Sequence, residues 1–214
     1  MKAVIFDMDG TLVRYAGPFQ SSWDAIGAAA GLKEEWARLL DFYLPKKELY
    51  SEWLQANASS LKGVSFETVS RQVLPPPYTP AVPETMAHLA GSYHLGILTS
   101  GVDFIAEYIR NDLHMNFAMA NKLYVSNGLF TGEIAENVHL WRKGEVLDHV
   151  CRKQGWPLNE VCFVGDHLND IPAMEIAGYS IAFDPKKQKL ADAADAVTHD
   201  FREIPNLIAA WETR

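Results

Sequence analysis

Apolar residues follow two rhythms along this chain. Short runs such as Val4-Ile5-Phe6, Gly96-Ile97-Leu98 and Val161-Cys162-Phe163-Val164 are unbroken, as parallel strands buried on both faces require. Between them, apolar positions recur at helical spacing. The pattern predicts strands at Val4–Phe6, Tyr93–Leu98, Val161–Val164 and Ser180–Phe183. It predicts helices at Val82–Ala90, Val102–Asp112, Leu140–Gln154, Leu168–Ala177 and Arg202–Ala210. Such alternation makes a parallel sheet with helices on both faces. One segment breaks the rule: Lys122–Ser126 and Leu129–Ile134 flank Asn127-Gly128, the dipeptide of a type I′ hairpin.

Between Arg14 and about Thr79 the strand rhythm disappears. Gly31, Pro45 and Gly63 divide this stretch into four helix-sized pieces, and Pro75-Pro76-Pro77-Tyr78-Thr79-Pro80 closes it with a stiff, non-helical linker. The expected architecture is α/β: a doubly wound, Rossmann-like parallel sheet core formed by residues 1–13 and 80–214, interrupted by a helical-bundle cap at residues 14–79.

Composition narrows the setting. With 214 residues, 48% of them hydrophobic, the chain can bury a sizeable core. A net charge of −8 and a pI near 5.3 argue against non-specific nucleic-acid binding and against an anionic membrane surface. No stretch is long enough to span a bilayer. Acids at Asp7 and Asp9 interrupt any signal-peptide pattern. Cys151 and Cys162 have neither zinc-site nor disulfide-framework spacing, so a reduced, cytoplasmic compartment is expected. The seven histidines are scattered without ligand spacing.

The candidate chemistry sits at strand ends, where ligands of open α/β sheets bind. The first strand runs into Asp7 and Asp9, two residues apart and therefore on one side of an extended backbone. Like charges so placed need a cation or a shared proton, and Mg²⁺ would supply the former. The second strand ends at Thr99-Ser100-Gly101, a hydroxyl and N–H groups at a predicted helix start, where an anion is favoured. Lys143 opens a later helix and suits a phosphate as a point charge. Gly165-Asp166-His167-Leu168-Asn169-Asp170 brings two more carboxylates and an amide, hard oxygen ligands of the kind Mg²⁺ takes.

In this order, DMDGT, ILTSG, Lys143 and GDHLND resemble the four motifs of the haloacid dehalogenase superfamily of phosphohydrolases. The stretch from the hairpin through KGEVLDHV and AGYSIAF is similar to the phosphoserine phosphatase branch. The resemblance implies a Mg²⁺-dependent phosphatase acting on a small phosphorylated metabolite. It implies that Asp7 is the nucleophile and Asp9 the acid and base. It implies metal ligation by Asp7, the backbone carbonyl of Asp9 and Asp166, with Asp170 ligating or ordering the shell. Thr99, Ser100, Gly101 and Lys143 would hold the phosphoryl oxygens, and Asn169 would hydrogen-bond near the phosphate or Lys143. The chain departs from the branch in its substrate contacts. An ungapped alignment puts Ala16 where the branch has a glutamate for the substrate ammonium, and Arg14–Pro18 contains no acid. Between Pro45 and Val69 the only cations are Lys46, Lys47 and Lys62, where the branch uses an arginine. A phosphomutase with the same phospho-aspartate, or a catalytically silent binding protein, are the alternatives. A metal-free dehalogenase would need neither Asp9 nor the acidic fourth motif.

Overall fold

The computed structural model describes residues 1–16 and 20–213. Seven strands form one sheet: β1 (Ala3–Phe6), β2 (His94–Val102), β3 (Phe117–Ser126), β4 (Leu129–Ala135), β5 (Val161–Gly165), β6 (Tyr179–Phe183) and β7 (Ala196–Thr198), in the order β4-β3-β2-β1-β5-β6-β7. Only the β3–β4 pair is antiparallel. Strand β1 is central, between β2 and β5, so its carboxyl end is the switch point of the sheet. The helices are α1 (Ser22–Ala29), α2 (Lys33–Tyr43), α3 (Tyr50–Ser60), α4 (Phe66–Val73), α5 (Val82–Leu89), α6 (Asp103–Asp112), α7 (Lys143–Gln154), α8 (Ile171–Met174), α9 (Gln188–Ala193) and α10 (Ile204–Glu212).

The continuous apolar run of β1 is explained by its burial on both sides. Val4 and Phe6 join a core with Met86, Ile105 and Ile208 from α5, α6 and α10. Ala3 and Ile5 join another with Leu147, Cys151 and Met174 from α7 and α8. The hairpin forms in the expected register, with Ser126 opposite Leu129 and positive φ at both Asn127 and Gly128.

Four helices, α1–α4, separate β1 from α5, with Gly31, Pro45 and Gly63 in the breaks between them. The chain leaves and re-enters this segment side by side: Arg14 N–H donates to Pro77 O at 2.9 Å, and Thr79 N–H to Leu12 O at 2.9 Å. The turn between α3 and α4 rests on the hairpin, where Gly63 and Phe66 N–H donate to the carbonyls of Phe130 and Gly128.

Several boundaries differ from the sequence pattern. Strand β2 continues through Val102 and α6 starts at Asp103, so Ser100 and Gly101 are strand residues and not a helix N-terminus; pairing of Val102 with Asn121 extends the strand. The helix expected over Leu168–Ala177 is a 3₁₀ turn at Leu168–Asp170 followed by the short α8, because Asp170 turns inward and its Oδ2 accepts the N–H groups of Asp166 and His167. Helix α7 starts at Lys143, three residues later than Leu140. Helix α9 and the three-residue β7 are too short to announce themselves by periodicity.

Candidate active site

Strand β1 delivers Asp7 and Asp9 to the switch point, and the neighbouring strand ends supply the rest. Lys143 lies at the first turn of α7 with its side chain wholly buried. Its Nζ is 2.6 Å from Asp170 Oδ1 and 2.7 Å from Asp7 Oδ1. The Asp170 contact is a well-directed hydrogen bond, whereas the Asp7 contact is an ion pair in which Oδ1 keeps no directed hydrogen bond. An ammonium has three donors, so one remains beyond these two partners.

Asp166 accepts the Thr11 hydroxyl at 3.1 Å. Gly10 is forced by this approach: a Cβ there would lie 2.1 Å from Asp166 Oδ2, and its φ is +88°. One oxygen from each of Asp7, Asp166 and Asp170 fits within 4.8 Å. Three carboxylates against one ammonium leave this buried volume net negative, and their hard oxygen donors fit Mg²⁺.

Asp9 faces the other way. Its Oδ1 accepts the Ser22 N–H at 3.0 Å and its Oδ2 the Ser22 hydroxyl at 2.7 Å. Its side chain is absent from the carboxylate cluster. Tyr15 OH, close enough to feel the Asp9 charge, is buried without a hydrogen-bond partner.

These environments shift the titration of each group. Burial, reinforced by the Asp170 charge and opposed by Lys143, pushes Asp7 up to about 6. Burial pushes Asp9 up to about 7 despite the Ser22 hydrogen bonds. Asp166 is raised well above the ordinary range by burial and then by the charges of Asp170 and Asp7. Burial works against the Lys143 ammonium, but Asp170 and Asp7 together hold it above an ordinary lysine.

The 99–101 segment is fixed from several sides. Thr99 Oγ1 accepts Gly101 N–H at 3.0 Å, so that N–H is committed internally and is not free for an anion as expected. Ser100 O accepts from Trp23 Nε1 at 3.2 Å and from Asn121 Nδ2 at 2.9 Å. Asn121 also reaches Tyr50 OH and Val138 O, and its Oδ1 takes the N–H groups of Asn137 and Val138. Asn169 is buried, but its Oδ1 contacts His167 Nδ1 at 2.7 Å, not Lys143; its amide nitrogen is left to donate.

The motifs thus bring together Asp7, Asp9, Thr99, Lys143, Asp166 and Asp170, and leave Ser22, Trp23, Tyr50 and Asn121 undetected. For Ser22 a faint signal existed, because Ser21 and Asp24 have capping-box spacing and form that box at the start of α1. Nothing in the pattern marks Asn121. Ala16 is exposed, and Gly17 and Pro18 lie outside the described residues.

The haloacid dehalogenase-like hydrolase model matches residues 4–175. The chain belongs to this family. It is 30% identical over 207 residues to the phosphoserine phosphatase of Methanocaldococcus jannaschii, covering 95% of both chains. It is 31% identical over 196 residues to that of Saccharomyces cerevisiae, covering 89% of this chain and 62% of the relative. Among solved structures, a phospho-aspartyl intermediate analogue of phosphoserine phosphatase superposes with a TM-score of 0.80 at 30% identity, covering 96% of this chain and 98% of that one. A substrate-bound phosphoserine phosphatase complex gives 0.80 at 28% identity, covering 96% and 97%. This haloacid dehalogenase-like hydrolase is a Mg²⁺-dependent phosphatase that works on phosphate monoesters through an aspartyl phosphate. No described helix is long and apolar enough to cross a membrane.

Proposed function

We propose that Asp7 is the nucleophile and Asp9 the general acid and base in hydrolysis of a small phosphate monoester. The observation that carries this assignment is the split in their partners: Asp7 is paired with the Lys143 ammonium, whereas Asp9 is held by the neutral donors of Ser22. The ammonium favours an ionised Asp7, as a nucleophile must be. An Asp9 carboxyl near 7 can both give and take a proton at neutral pH. An Asp7 oxygen attacks phosphorus, the ester P–O bond breaks, and Asp9 protonates the leaving oxygen. Water then attacks the phosphoryl group, Asp9 takes its proton, and the bond to Asp7 breaks to release inorganic phosphate.

Asp7 and Asp166 would hold Mg²⁺ together with the Asp9 carbonyl, and Asp170, the partner of Lys143, would ligate the ion or order its shell. The ion would supply positive charge for the phosphoryl oxygens. The remaining Lys143 donor, the Thr99 hydroxyl proton, Ser100 N–H and the Asn169 amide hold the phosphoryl group, so that positioning and charge do the catalytic work.

Residues 14–79 are read as the cap over a core of 1–13 and 80–214, since α1 and α3 carry Ser22, Trp23 and Tyr50 to the site. The leaving group then meets a neutral polar atom beside Asp9, the Tyr15 OH, which is buried without a partner. Lys33, Arg38, Lys47, Lys62 and Arg71 are exposed, and Lys46 lies over Phe42. Phosphoserine, with a carboxylate to pair, is therefore expected to be a poor substrate. The cytoplasm is the proposed setting, in keeping with two buried, unpaired cysteines.

The test is a phosphate-release screen over small phosphorylated metabolites with phosphoserine included, alongside mass spectrometry of the trapped enzyme. A phosphoryl adduct on Asp7 is expected. Isomerised product in place of inorganic phosphate would move the enzyme to the phosphomutases. Phosphoserine turnover near or above about 10⁴ M⁻¹s⁻¹ would overturn the substrate reading.

A further inference from the structure

Ser22 is the first residue of α1, so it belongs to the helical segment and not to the sheet that carries Asp9. It is fully buried. Both of its donors, the main-chain N–H and the hydroxyl, end on the two different oxygens of one carboxylate. A bidentate grip fixes the carboxylate plane as well as its position. Packing leaves little room for another arrangement: a Cβ at Gly101 would lie 2.8 Å from Ser22 Oγ, 3.1 Å from Asp9 Oδ2 and 2.6 Å from Met8 Cε. Gly101 therefore lets β2 pass close enough for the grip to form.

Building on the acid–base role assigned to Asp9 above, we propose that Ser22 is a positioning residue that aims Asp9 at the leaving oxygen. The segment that surrounds the leaving group thereby also sets the geometry of proton transfer. Any displacement of α1 from the sheet withdraws both donors together. Proton delivery is thus tied to α1 being seated, and a carboxylate one ångström out of place transfers its proton poorly.

Two aryl esters of similar shape separate this role from a structural one. Phenyl phosphate expels a leaving group as basic as a tyrosinate, with a pKa of about 10, and needs the proton; p-nitrophenyl phosphate expels a stable anion and does not. Because kcat/KM reports the first chemical step and not release of the aspartyl phosphate, it is the quantity to compare. Ser22→Ala is expected to lower kcat/KM on phenyl phosphate about 10-fold or more, with less than about 3-fold on p-nitrophenyl phosphate. Ser22→Thr, which restores the hydroxyl, should return the phenyl phosphate value to within about 3-fold. Equal losses on both esters, or no loss on either, would overturn the proposal. Should Ser22→Ala fail to fold, Ser22→Cys keeps the size, removes the strong donor and is judged by the same ratio. Asp9→Asn is the control: if it spares both esters, the acid–base reading of Asp9 has failed. If Asp9→Asn selectively damages phenyl phosphate hydrolysis and Ser22→Ala does not, only the Ser22 inference has failed.

Discussion

The two sides of this active site are built by opposite means. On the sheet side, Asp7 and Asp170 pair with one buried ammonium and Asp166 joins them in a carboxylate cluster, so strong charges meet at close range. On the helical side, Asp9 is held by a serine and Ser100 O by an indole N–H, both from α1. Charges select for phosphate and Mg²⁺, which every phosphate ester shares. Neutral hydrogen bonds aim groups without attracting a competing anion, which suits the side where leaving groups differ. The lesson is that a carboxylate two residues from a member of the carboxylate cluster can belong, through its partners, to another part of the chain.

The sharpest way to break the comparison is Asp7→Asn. An amide cannot form the aspartyl phosphate, and kcat should fall by at least about 10³-fold with the fold retained by circular dichroism. Activity above about a hundredth of wild type would remove Asp7 from covalent catalysis.

Removing the ammonium tests whether the sheet side is electrostatically balanced. Lys143→Met leaves the buried Asp7 and Asp170 without their cation, a loss of about 3–5 kcal/mol, which for a chain of this size lowers Tm by roughly 10 °C. Ser22→Ala should cost far less stability, because Asp9 keeps the backbone N–H. A similar Tm loss in both variants would erase the distinction.

The pH dependence of Mg²⁺ stabilisation sharpens it further. Asp7 and Asp9 have folded-state values of about 6 and about 7, above the ordinary 3.8. The folded, metal-free protein therefore holds protons that the unfolded chain releases. The stability this contributes is fully present below the ordinary carboxylate value and is lost as pH rises to about 6–7. Mg²⁺ would take the place of the Asp7 proton, so its gain in Tm by calorimetry should be larger at pH 7.5 than at pH 5.5. Subtracting the metal-free scan at each pH cancels groups away from the site. EDTA should abolish activity. Asp166→Asn should raise the metal-free Tm and erase most of the Mg²⁺ gain; an unchanged gain would place the ion elsewhere.

The smallest effect belongs to Ala16→Glu. Ala16 is exposed, and surface changes of this kind stay within about 0.5 kcal/mol. Relative kcat/KM on phosphoserine and another small ester should therefore move by less than about 2-fold. A clear gain for phosphoserine would show that Ala16 reaches the leaving group.

The sequence by itself determined the parts whose physics is local or strictly periodic. Unbroken apolar runs such as Val4–Phe6 had to be strands buried on both faces, and Asn127-Gly128 had to turn a hairpin because both residues take positive φ. Asp7, Lys143 and Asp166 were legible because they stand in motifs that recur in a fixed order at strand ends and a helix start and together resemble one family. Tertiary structure alone decided where side chains with several possible partners point. Asp9 turned from the carboxylate cluster to Ser22, thirteen residues on and at the start of α1. The same holds for Asn121, whose amide joins Tyr50, Ser100 and Val138 across three parts of the chain. Hydrogen bonds between residues far apart in sequence leave no periodicity, and a buried amide or serine has no residue type that announces its partner. Such contacts exist only once the packing of α1, α3 and the strand ends has brought the donors within reach.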